Sequence, residues 1–449
     1  MSLELKKITT GINQDSHCFD ISKAQNRMYI IEAIYTSLIG PNIGNVATEA
    51  FLIEGELDTN KFKLCYEAMI SRHESLRSTF FTIENKILQK INSEYIITFP
   101  EVYIPEEKKD ELDEYIDTFI QPFNLEMPLL IKATLIQINS KKYIFILSMH
   151  HIIGDGYSLS IILKEILKLY NDEKLPDLDF QYKDFAYWQN KLMEAEYIIP
   201  KRDYWVNRFC QEIPLLKIKT DFKRPPLKTY QGDRIIIVEE LDFFESFNLL
   251  AMESYSSMFI VLLSAYYVLL FKYSGQKDII IGSPIACRPK KELENIVGMF
   301  VNMLPLRINI NENCTFLEFM ESVRGICFDA YENQEYQFND LVSELHFKRD
   351  MSRNPIFDYV FALQNFDMSD LKSKDFIINL YDYKYSISRF DASLSIMVIN
   401  DKANIIFEYS TDIFTKSTAK RILMDYLKIL RIIKANSNIK IIDIEGFDF

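Results

Sequence analysis

Two adjacent histidines, His150 and His151, open the stretch of this sequence whose residue types are best suited to chemistry. Asp155 and Gly156 follow after three residues, which gives the spacing HHxxxDG, and the chain holds 5 histidines among its 449 residues. A neutral imidazole accepts a proton near neutral pH, because its unperturbed pKa is about 6.5. A well-placed base of this kind contributes roughly 10²–10⁴ in rate. The pattern therefore indicates acid–base chemistry that depends on a histidine.

The flanking residues predict that a strand leads into the motif and a helix leads out of it. The run Tyr143–Met149 is mostly apolar, which is typical of a strand buried on both faces. Because side chains alternate along a strand, we expect one histidine to reach a cleft and its neighbour to point inward. Ser158 is a candidate N-cap for the following helix. The apolar positions of that helix keep helical spacing and are Leu159, Ile162, Leu163, Ile166 and Leu169.

The turn between strand and helix carries two glycines and an acid. Gly154 and Gly156 suit a tight bend of the backbone, and a helix N-terminus then offers N–H groups and partial positive charge to a developing oxyanion. Asp155 has a simpler interpretation, since Asx residues in turns commonly bond their own backbone. A single histidine near a strand end is more often packed or on the surface, so the spacing of the whole motif carries the prediction.

Other catalytic classes find no support around the motif. Ser158 and Ser160 lie in the predicted helix and no GxSxG elbow occurs, so a serine nucleophile is not indicated. The spacing also differs from the HExxH zinc signature. The six cysteines are scattered without a CxxC pair, which predicts reduced thiols and no metal site. The reaction class that remains is acyl transfer with one histidine base and no covalent enzyme intermediate.

Length and charge narrow the class of protein. The chain is long enough for two domains of roughly 200 residues each. Its net charge of −13 disfavours nucleic acid and anionic membranes as partners, because phosphate binding needs a basic patch. The longest apolar stretch, Met258–Phe271, is shorter than the ~20 residues of a membrane span and predicts a buried core helix. No signal peptide is evident, so we expect a cytoplasmic protein.

Strand-like and helix-like segments alternate in both halves, which predicts an α/β fold with two lobes. A proline- and aspartate-bearing stretch, Asn171–Asp179, places the boundary between lobes of residues 1–177 and 178–449. Predicted helices are Lys61–Ser71, Phe244–Phe271, Thr315–Glu332 and Thr415–Ala435. Predicted strands lie within Ile131–Met149 (two strands) and at Asp278–Ile281, Phe357–Gln364, Ser393–Val398 and Ala403–Tyr409.

Five further motifs follow one another along almost the whole chain. They are Ser22–Tyr29, Arg72–Phe80, Tyr182–Trp188, the block Ile281–Asn302 and Arg349–Phe357. Together with HHxxxDG they resemble the SxAQxRxW/Y, RHExLRTxF, YxDFAxW, IGTPxAGR…GxFVNT and RDxSRNPLF segments of the condensation domains of nonribosomal peptide synthetases. The resemblance implies two chloramphenicol acetyltransferase-like lobes, set as a V-shaped pseudodimer with a tunnel between them.

The resemblance also implies a reaction and a role for each residue of the motif. The amine of an acceptor aminoacyl thioester attacks a donor acyl thioester, and an amide bond forms. His151 would position that amine or remove its proton, and the Gly156 amide would lie near the thioester carbonyl. His150 and Asp155 would be structural, with Asp155 paired to Arg288 across the lobes.

Three further residues are expected to line the substrate tunnel, namely Tyr157, Ser283 and Asn302. Tyr157 stands where many members of the family have tryptophan, and Cys287 replaces the glycine before Arg288. The resemblance implies no metal and no cofactor bound by the chain itself. The phosphopantetheine arms of the carrier proteins would tether the two substrates.

Donor and acceptor peptidyl carrier proteins are the partners that the resemblance implies, with an adjacent adenylation domain as a further one. The opening and RHExLR motifs favour the subtype that accepts an L-configured donor. A lipid-accepting starter domain and a catalytically silent recruiter of a partner protein stay open as alternatives. An epimerization domain ranks lower because of the FVN and RDxSRNP blocks, and the paired aspartates of heterocyclization domains are missing.

Overall fold

The computed structural model describes residues 4–8, 17–38, 40, 43–346, 350–368, 371–383, 386–399 and 402–447, so Arg349 of the last motif lies outside the described residues. The strands are β1 (Cys18–Asp20), β2 (Val46–Gly55), β3 (Ser78–Ile83), β4 (Lys86–Ile91), β5 (Glu101–Tyr103), β6 (Ile131–Asn139), β7 (Lys142–His150), β8 (Gly232–Glu240), β9 (Asp278–Ile285), β10 (Asn302–Asn309), β11 (Tyr359–Met368), β12 (Phe376–Leu380), β13 (Ala392–Ile399) and β14 (Lys402–Ser410). The α-helices are α1 (Lys23–Leu38), α2 (Thr59–Arg72), α3 (Lys109–Phe119), α4 (Gly156–Tyr170), α5 (Tyr182–Met193), α6 (Ile199–Phe209), α7 (Leu241–Glu253), α8 (Met258–Ser274), α9 (Phe316–Glu332), α10 (Phe338–Glu344) and α11 (Lys416–Ala435).

Two compact units make up the chain, and each is discontinuous in sequence. The first comprises Met1–Ile198, Ala286–Val301 and Phe366–Lys384. The second comprises Ile199–Ile285, Asn302–Asn365 and Tyr385–Phe449. The lobes of residues 1–177 and 178–449 stay a prediction about domain organisation.

The first unit is built on a five-stranded sheet with the order β12-β2-β7-β6-β5, beside a three-stranded sheet with the order β1-β4-β3. Strand β7 is the middle strand of the larger sheet, and its residues Tyr143–His150 are all buried. Helix α2 packs on it through Phe62, whose ring centroid lies 5.1 Å from that of Phe145. A strand covered on both faces needs apolar residues throughout, which explains the unbroken apolar run before the histidines.

The second unit is built on a six-stranded sheet with the order β10-β9-β11-β13-β14-β8. Helix α8 is buried from Ile260 to Phe271, and Tyr266 packs edge-on against Tyr426 of α11. A helix that is apolar all round belongs in a core, so the prediction for Met258–Phe271 is confirmed. Among the described residues, no single helix is long and apolar enough to span a membrane; the bent pair α7 and α8 passes on length and composition alone.

Most predicted elements are confirmed, and two of the predicted helices begin directly after a threonine that caps them. Thr315 and Thr415 each precede their helix, and their side chains accept hydrogen bonds from the N–H groups of Glu318 and Thr418. The predicted single helix Phe244–Phe271 is wrong, because it is two helices. The break has a local cause, since the Ser257 side chain accepts from Ile260 N and starts α8 afresh.

A buried group of charges lies in the second unit, around the motif that ends at Phe357. Arg353 Nη1 donates to Asp358 Oδ2 at 2.6 Å, and Arg224 binds both carboxylate oxygens of Asp391. Lys228 is 8% exposed. Its ammonium group donates to the Arg389 carbonyl oxygen. Burial lowers the pKa of Lys228 to about 8, although the neighbouring carboxylates oppose that shift.

We expect Lys228 to make stability rise with pH. The pKa of Lys228 in the folded chain lies below its ordinary value of 10.5. Between pH 8 and 10.5 the unfolded chain therefore binds more protons, and the folded state becomes more stable as the pH rises. The free energy of unfolding of the native protein, minus that of Lys228→Met, should rise by about 2 kcal/mol between pH 7.5 and 9.5. Urea unfolding at a series of pH values measures this difference. A difference that is flat or falls with pH would contradict the expectation.

Candidate active site

The HHxxxDG motif occupies the junction between β7 and α4. Strand β7 ends at His150, a single 3₁₀ turn spans His151–Ile153, and α4 begins at Gly156. The His150 side chain is fully buried and His151 is half-buried. The two histidines therefore differ in burial as expected, but the chain leaves the strand before His151, so the turn and not the strand alternation separates them.

His150 is oriented inward by its neighbours in the first unit. Its Nδ1 accepts a hydrogen bond from the backbone N–H of Ile152 at 3.1 Å. An N–H group can only donate, so the neutral ring carries its proton on Nε2. That nitrogen lies 3.6 Å from Glu32 Oε2, and the ring meets Phe123 edge-on at a centroid distance of 6.5 Å. These contacts fix the ring inside the fold.

His151 is held by the turn in the opposite tautomer. Its Nδ1 lies 3.2 Å from the carbonyl oxygen of Gly154. A carbonyl oxygen only accepts, so Nδ1 carries the hydrogen and Nε2 of the neutral ring has the lone pair. The His151 backbone N–H donates to the Asn45 carbonyl oxygen at 2.8 Å, which fixes the main chain beneath the ring. This tautomer is the one that can accept a proton at Nε2.

Asp155 is the N-cap of α4, and its carboxylate is almost wholly buried. Oδ1 accepts from both the backbone N–H and the hydroxyl group of Ser158, each at 2.8 Å. Oδ2 accepts from the backbone N–H of Phe300 at 3.1 Å. The prediction that Ser158 caps the helix is therefore wrong: Asp155 has the extended backbone and the acceptor that a cap requires, and Ser158 is the third residue of the helix.

Arg288 lies beside Asp155, but both residues belong to the first compact unit, so the pair lies within one unit and not across two. Its Nη2 is 3.4 Å from Asp155 Oδ1, and Nη1 donates to the carbonyl oxygens of Leu293 and Ile296 at 2.6 and 2.7 Å. The guanidinium lies 3.9 Å from the ring centroid of Phe300. Burial lowers the pKa of Arg288, while the charge of Asp155 opposes that shift. The pair ties the segment 286–301 to the start of α4.

The YxDFAxW motif holds the same segment from the other side. Tyr182 Oη donates to the Met299 carbonyl oxygen at 2.5 Å, and its ring meets Phe300 edge-on at 4.9 Å. Phe185 packs on Phe300 at a centroid distance of 4.4 Å. The sequence does not reveal this role of Tyr182, because nothing local to the motif shows that a segment about a hundred residues later lies against it.

Asp184 and Glu165 are buried acids with structural partners. Asp184 forms a capping box with Gln181, and burial raises its pKa above the usual range. Glu165 of α4 binds Arg72 Nε at 3.0 Å and His73 Nε2 at 2.9 Å. The RHExLR motif thus holds the helix that follows the active-site turn through the ion pair of Arg72 and the contact of His73.

Gly298 allows the closest approach in this region, and we expect its replacement to be costly. A Cβ at this position would lie 1.8 Å from Cδ2 of the buried Tyr182 ring. Gly298→Ala should lower the free energy of unfolding by about 3 kcal/mol, because overpacking displaces the segment that carries Arg288. Gly325→Ala is the matched control: it lies on an exposed face of α9 with nothing within 4 Å of the new Cβ. That change should stabilise by about 0.5–1 kcal/mol. Equal stability of the two variants in urea unfolding would refute the packing argument.

The remaining predicted site residues divide between the units. Gly156 is the first residue of α4, and Tyr157 follows it with its ring 4.6 Å from the Arg288 guanidinium. Ser283 and Asn302 belong to the second unit, at the end of β9 and the start of β10. The Asn302 amide donates to the carbonyl oxygens of Gln334 and Tyr336, both at 2.9 Å, and its Oδ1 accepts from Phe338 N at 3.0 Å. Tunnel lining by Tyr157, Ser283 and Asn302 stays a prediction.

In the described parts of the chain, no group of three or more His, Cys, Asp or Glu side chains is placed to hold a metal ion. The motif region itself displays a buried Asp–Arg pair, a helix N-terminus and one half-buried imidazole. That set suits proton transfer beside a polarised carbonyl.

Comparisons with known proteins identify the family of this chain. The family model for the condensation domain matches residues 16–445. Gramicidin S synthase 2 of Aneurinibacillus migulanus is 37% identical over 427 residues, which cover 95% of this chain and 9% of the synthase. The chain thus spans about a tenth of the length of that relative.

Solved structures give the same fold. The condensation domain of the Monacolin K polyketide synthase MokA superposes with a TM-score of 0.85 at 17% identity, over 94% of this chain and 99% of that domain. The four-domain nonribosomal peptide synthetase AB3403, solved with AMP and glycine, gives a TM-score of 0.84 at 20% identity, over 96% of this chain and 34% of that one.

Taken together, the fold is mixed α/β of the chloramphenicol acetyltransferase-like kind, as predicted. The chain belongs to the condensation domain family. Its relatives are synthetases that make peptides such as gramicidin S.

Proposed function

We propose that this chain forms an amide bond between a donor acyl or peptidyl thioester and the amine of an acceptor aminoacyl thioester. The observation that carries this proposal is the tautomer of His151, whose Nδ1 donates to the Gly154 carbonyl oxygen and whose Nε2 is therefore basic. An intact HHxxxDG turn fixes that ring next to the N-terminus of α4.

The reaction follows from groups that the motif supplies. The acceptor amine attacks the donor carbonyl carbon, the C–S bond breaks, and the proton lost by nitrogen passes through His151 Nε2 to the departing thiolate. The first N–H groups of a helix have no partner within the helix, so Gly156 at the start of α4 offers a donor to the oxyanion. Asp155 acts by holding that helix start, and His150 acts by fixing the end of β7.

Much of the acceleration comes from holding the two substrates together. A thioester is already an activated acyl group, so no enzyme nucleophile is needed. Well-oriented reactants gain roughly 7–11 kcal/mol from prepaid translational and rotational entropy. A single base then contributes about 10²–10⁴ in rate. These two terms together bring the reaction into the usual range of enzymes.

The partners in this proposal are a donor and an acceptor peptidyl carrier protein, each presenting its substrate on a phosphopantetheine arm. That arm is part of the substrate, and the chain itself needs no resident cofactor. An adjacent adenylation domain would load the acceptor carrier. The roughly tenfold greater length of the gramicidin S synthase relative supports a chain that works beside other domains. The opening and RHExLR motifs support an L-configured donor.

A panel of donors tests both the activity and the subtype. One carrier protein is loaded with an L-aminoacyl, a D-aminoacyl or a fatty acyl group, a second with an acceptor amino acid, and intact-protein mass spectrometry follows the second carrier. We expect transfer of the L-aminoacyl group. Transfer of the fatty acyl group alone would assign a starter domain. Carrier binding without any transfer would replace the proposal by a recruiting role.

A further inference from the structure

A half-open cavity of about 660 Å³ lies on the second compact unit, at the end of β9. Its walls come from the α7–α8 junction, from β9 and β11 and from the last turn of α9. The lining residues are Asn248, Ala251, Met252, Ser256, Ser257, Met258, Phe259, Ser283, Pro284, Ile285, Tyr331 and Leu363. Its volume falls within the range of about 300–1,000 Å³ that is typical of small-molecule sites.

Two hydroxyl groups on this wall are buried without a hydrogen bond. Ser283 is 2% exposed, and among the described residues its Oγ has no hydrogen-bond partner. The buried Oγ of Ser256 likewise has no hydrogen-bond partner among the residues that the structure describes. Ser264, in the adjoining helix α8, shows the usual solution, because its hydroxyl donates to the Ile260 carbonyl oxygen at 2.7 Å. Buried polar groups are nearly always paired, so two unpaired hydroxyls on one cavity indicate a bound group that pairs with them.

The chemistry of the wall limits what that group can be. No charged side chain is among the lining residues, so an ionised group would find no counter-ion there to replace its hydration. Met258, Phe259 and Leu363 supply an apolar surface. Ser257 caps the N-terminus of α8 at the cavity edge, and the partial positive charge there favours a hydrogen-bond acceptor. The matching ligand is uncharged, largely apolar and carries one or two hydrogen-bonding atoms.

We propose that this cavity binds the uncharged side chain or acyl group of a carrier-tethered substrate and selects those with a neutral hydrogen-bonding atom. The inference rests on the proposed function for the identity of the substrate. It adds a class of substrate: tyrosyl, threonyl or glutaminyl groups are favoured over phenylalanyl, valyl or leucyl groups, and lysyl groups, for which the wall offers no acidic partner, are disfavoured. Ser283 and Ser256 would make the distinction.

Direct binding tests the cavity without any reaction. The probes are N-acetylcysteamine thioesters in matched pairs, tyrosine with phenylalanine, threonine with valine and glutamine with leucine, titrated by calorimetry. We expect at least one polar member to bind the native chain more tightly than its apolar partner, by roughly 2–10-fold, and Ser283→Ala to abolish that preference. Ser274→Ala, at the far end of α8 and away from the cavity wall, is the matched control and should keep it. The melting temperature of the unliganded Ser283→Ala protein should not fall, because no hydrogen bond within the described structure is lost.

A second arm separates this inference from the proposed function. The same pairs are loaded on the donor carrier in one series and on the acceptor carrier in another, and the amide product is measured by mass. A preference that Ser283→Ala removes in one series alone assigns the cavity to that substrate. Product formation with no preference in either series, and no preference in calorimetry, overturns the inference and leaves the proposed function standing. A Ser283-dependent preference in calorimetry with no product in any series contradicts the proposed function and leaves the inference about the cavity standing.

Discussion

His151→Ala should lower the rate of amide formation by roughly 10²–10⁴, with little change in stability. The reason is the tautomer that the turn imposes: Nδ1–H is bound to Gly154, so the basic Nε2 is the nitrogen that serves the reacting amine. The ring is half-buried and the strand ends before it, so its removal leaves the core intact. Single-turnover transfer between two preloaded carriers measures the rate, and urea unfolding measures the stability.

A matched histidine controls for the loss of an imidazole as such. His17 is exposed and lies in the loop before β1, outside the motif. His17→Ala should transfer at the native rate. A rate for His151→Ala within threefold of the native rate would remove the base from the mechanism and leave substrate positioning as the whole of the catalysis.

Asp155→Asn should be the most destabilising single change at the site. Asparagine is as good an N-cap as aspartate, so α4 keeps its start while the negative charge is lost. The Arg288 guanidinium, whose side chain is 3% exposed, is then left buried without its counter-ion. Breaking a buried pair from one side costs about 3–5 kcal/mol. Urea unfolding should show a loss of this size, and amide formation should fall because the 286–301 segment and the start of α4 are no longer fixed.

The second half of the pair makes this test specific. The double variant Asp155→Asn, Arg288→Met removes both charges, so it should recover part of the lost stability, and the coupling between the two sites should be about 1–3 kcal/mol. Glu111→Gln removes one partner of the exposed pair Lys108–Glu111 and should change stability little. An additive double-mutant cycle would show that Asp155 acts through its hydrogen bonds to Ser158 and Phe300 and not through Arg288.

The sequence predicts the site's place in the chain well because local signals determine it. An apolar run makes β7, a helical repeat makes α4, and the motif falls between them, so the strand–turn–helix junction follows from periodicity alone. The caps at Thr315 and Thr415 are equally local. The sequence favours Ser158 as the N-cap of α4, whereas the structure has Asp155. Both residue types are good caps, and only the backbone angles distinguish them.

Long-range contacts are what the sequence leaves unpredicted. The return of residues 286–301 to the first unit depends on Gly298 meeting the Tyr182 ring and on Phe300 meeting Asp155, and neither pairing has a local signature. No glycine or proline marks the break between α7 and α8, so one continuous helix fits the same sequence pattern. The cavity beside Ser283 likewise arises from elements far apart in sequence.

The most direct test of the account is the mass of the acceptor carrier protein after a single turnover with a preloaded L-aminoacyl donor carrier, for the native chain and for His151→Ala. The account predicts a dipeptidyl mass on the acceptor carrier with the native chain and almost none with the variant over the same time. Equal amounts of dipeptidyl carrier with both proteins would contradict the role of His151. An acceptor carrier of unchanged mass with both proteins would contradict amide-bond formation itself.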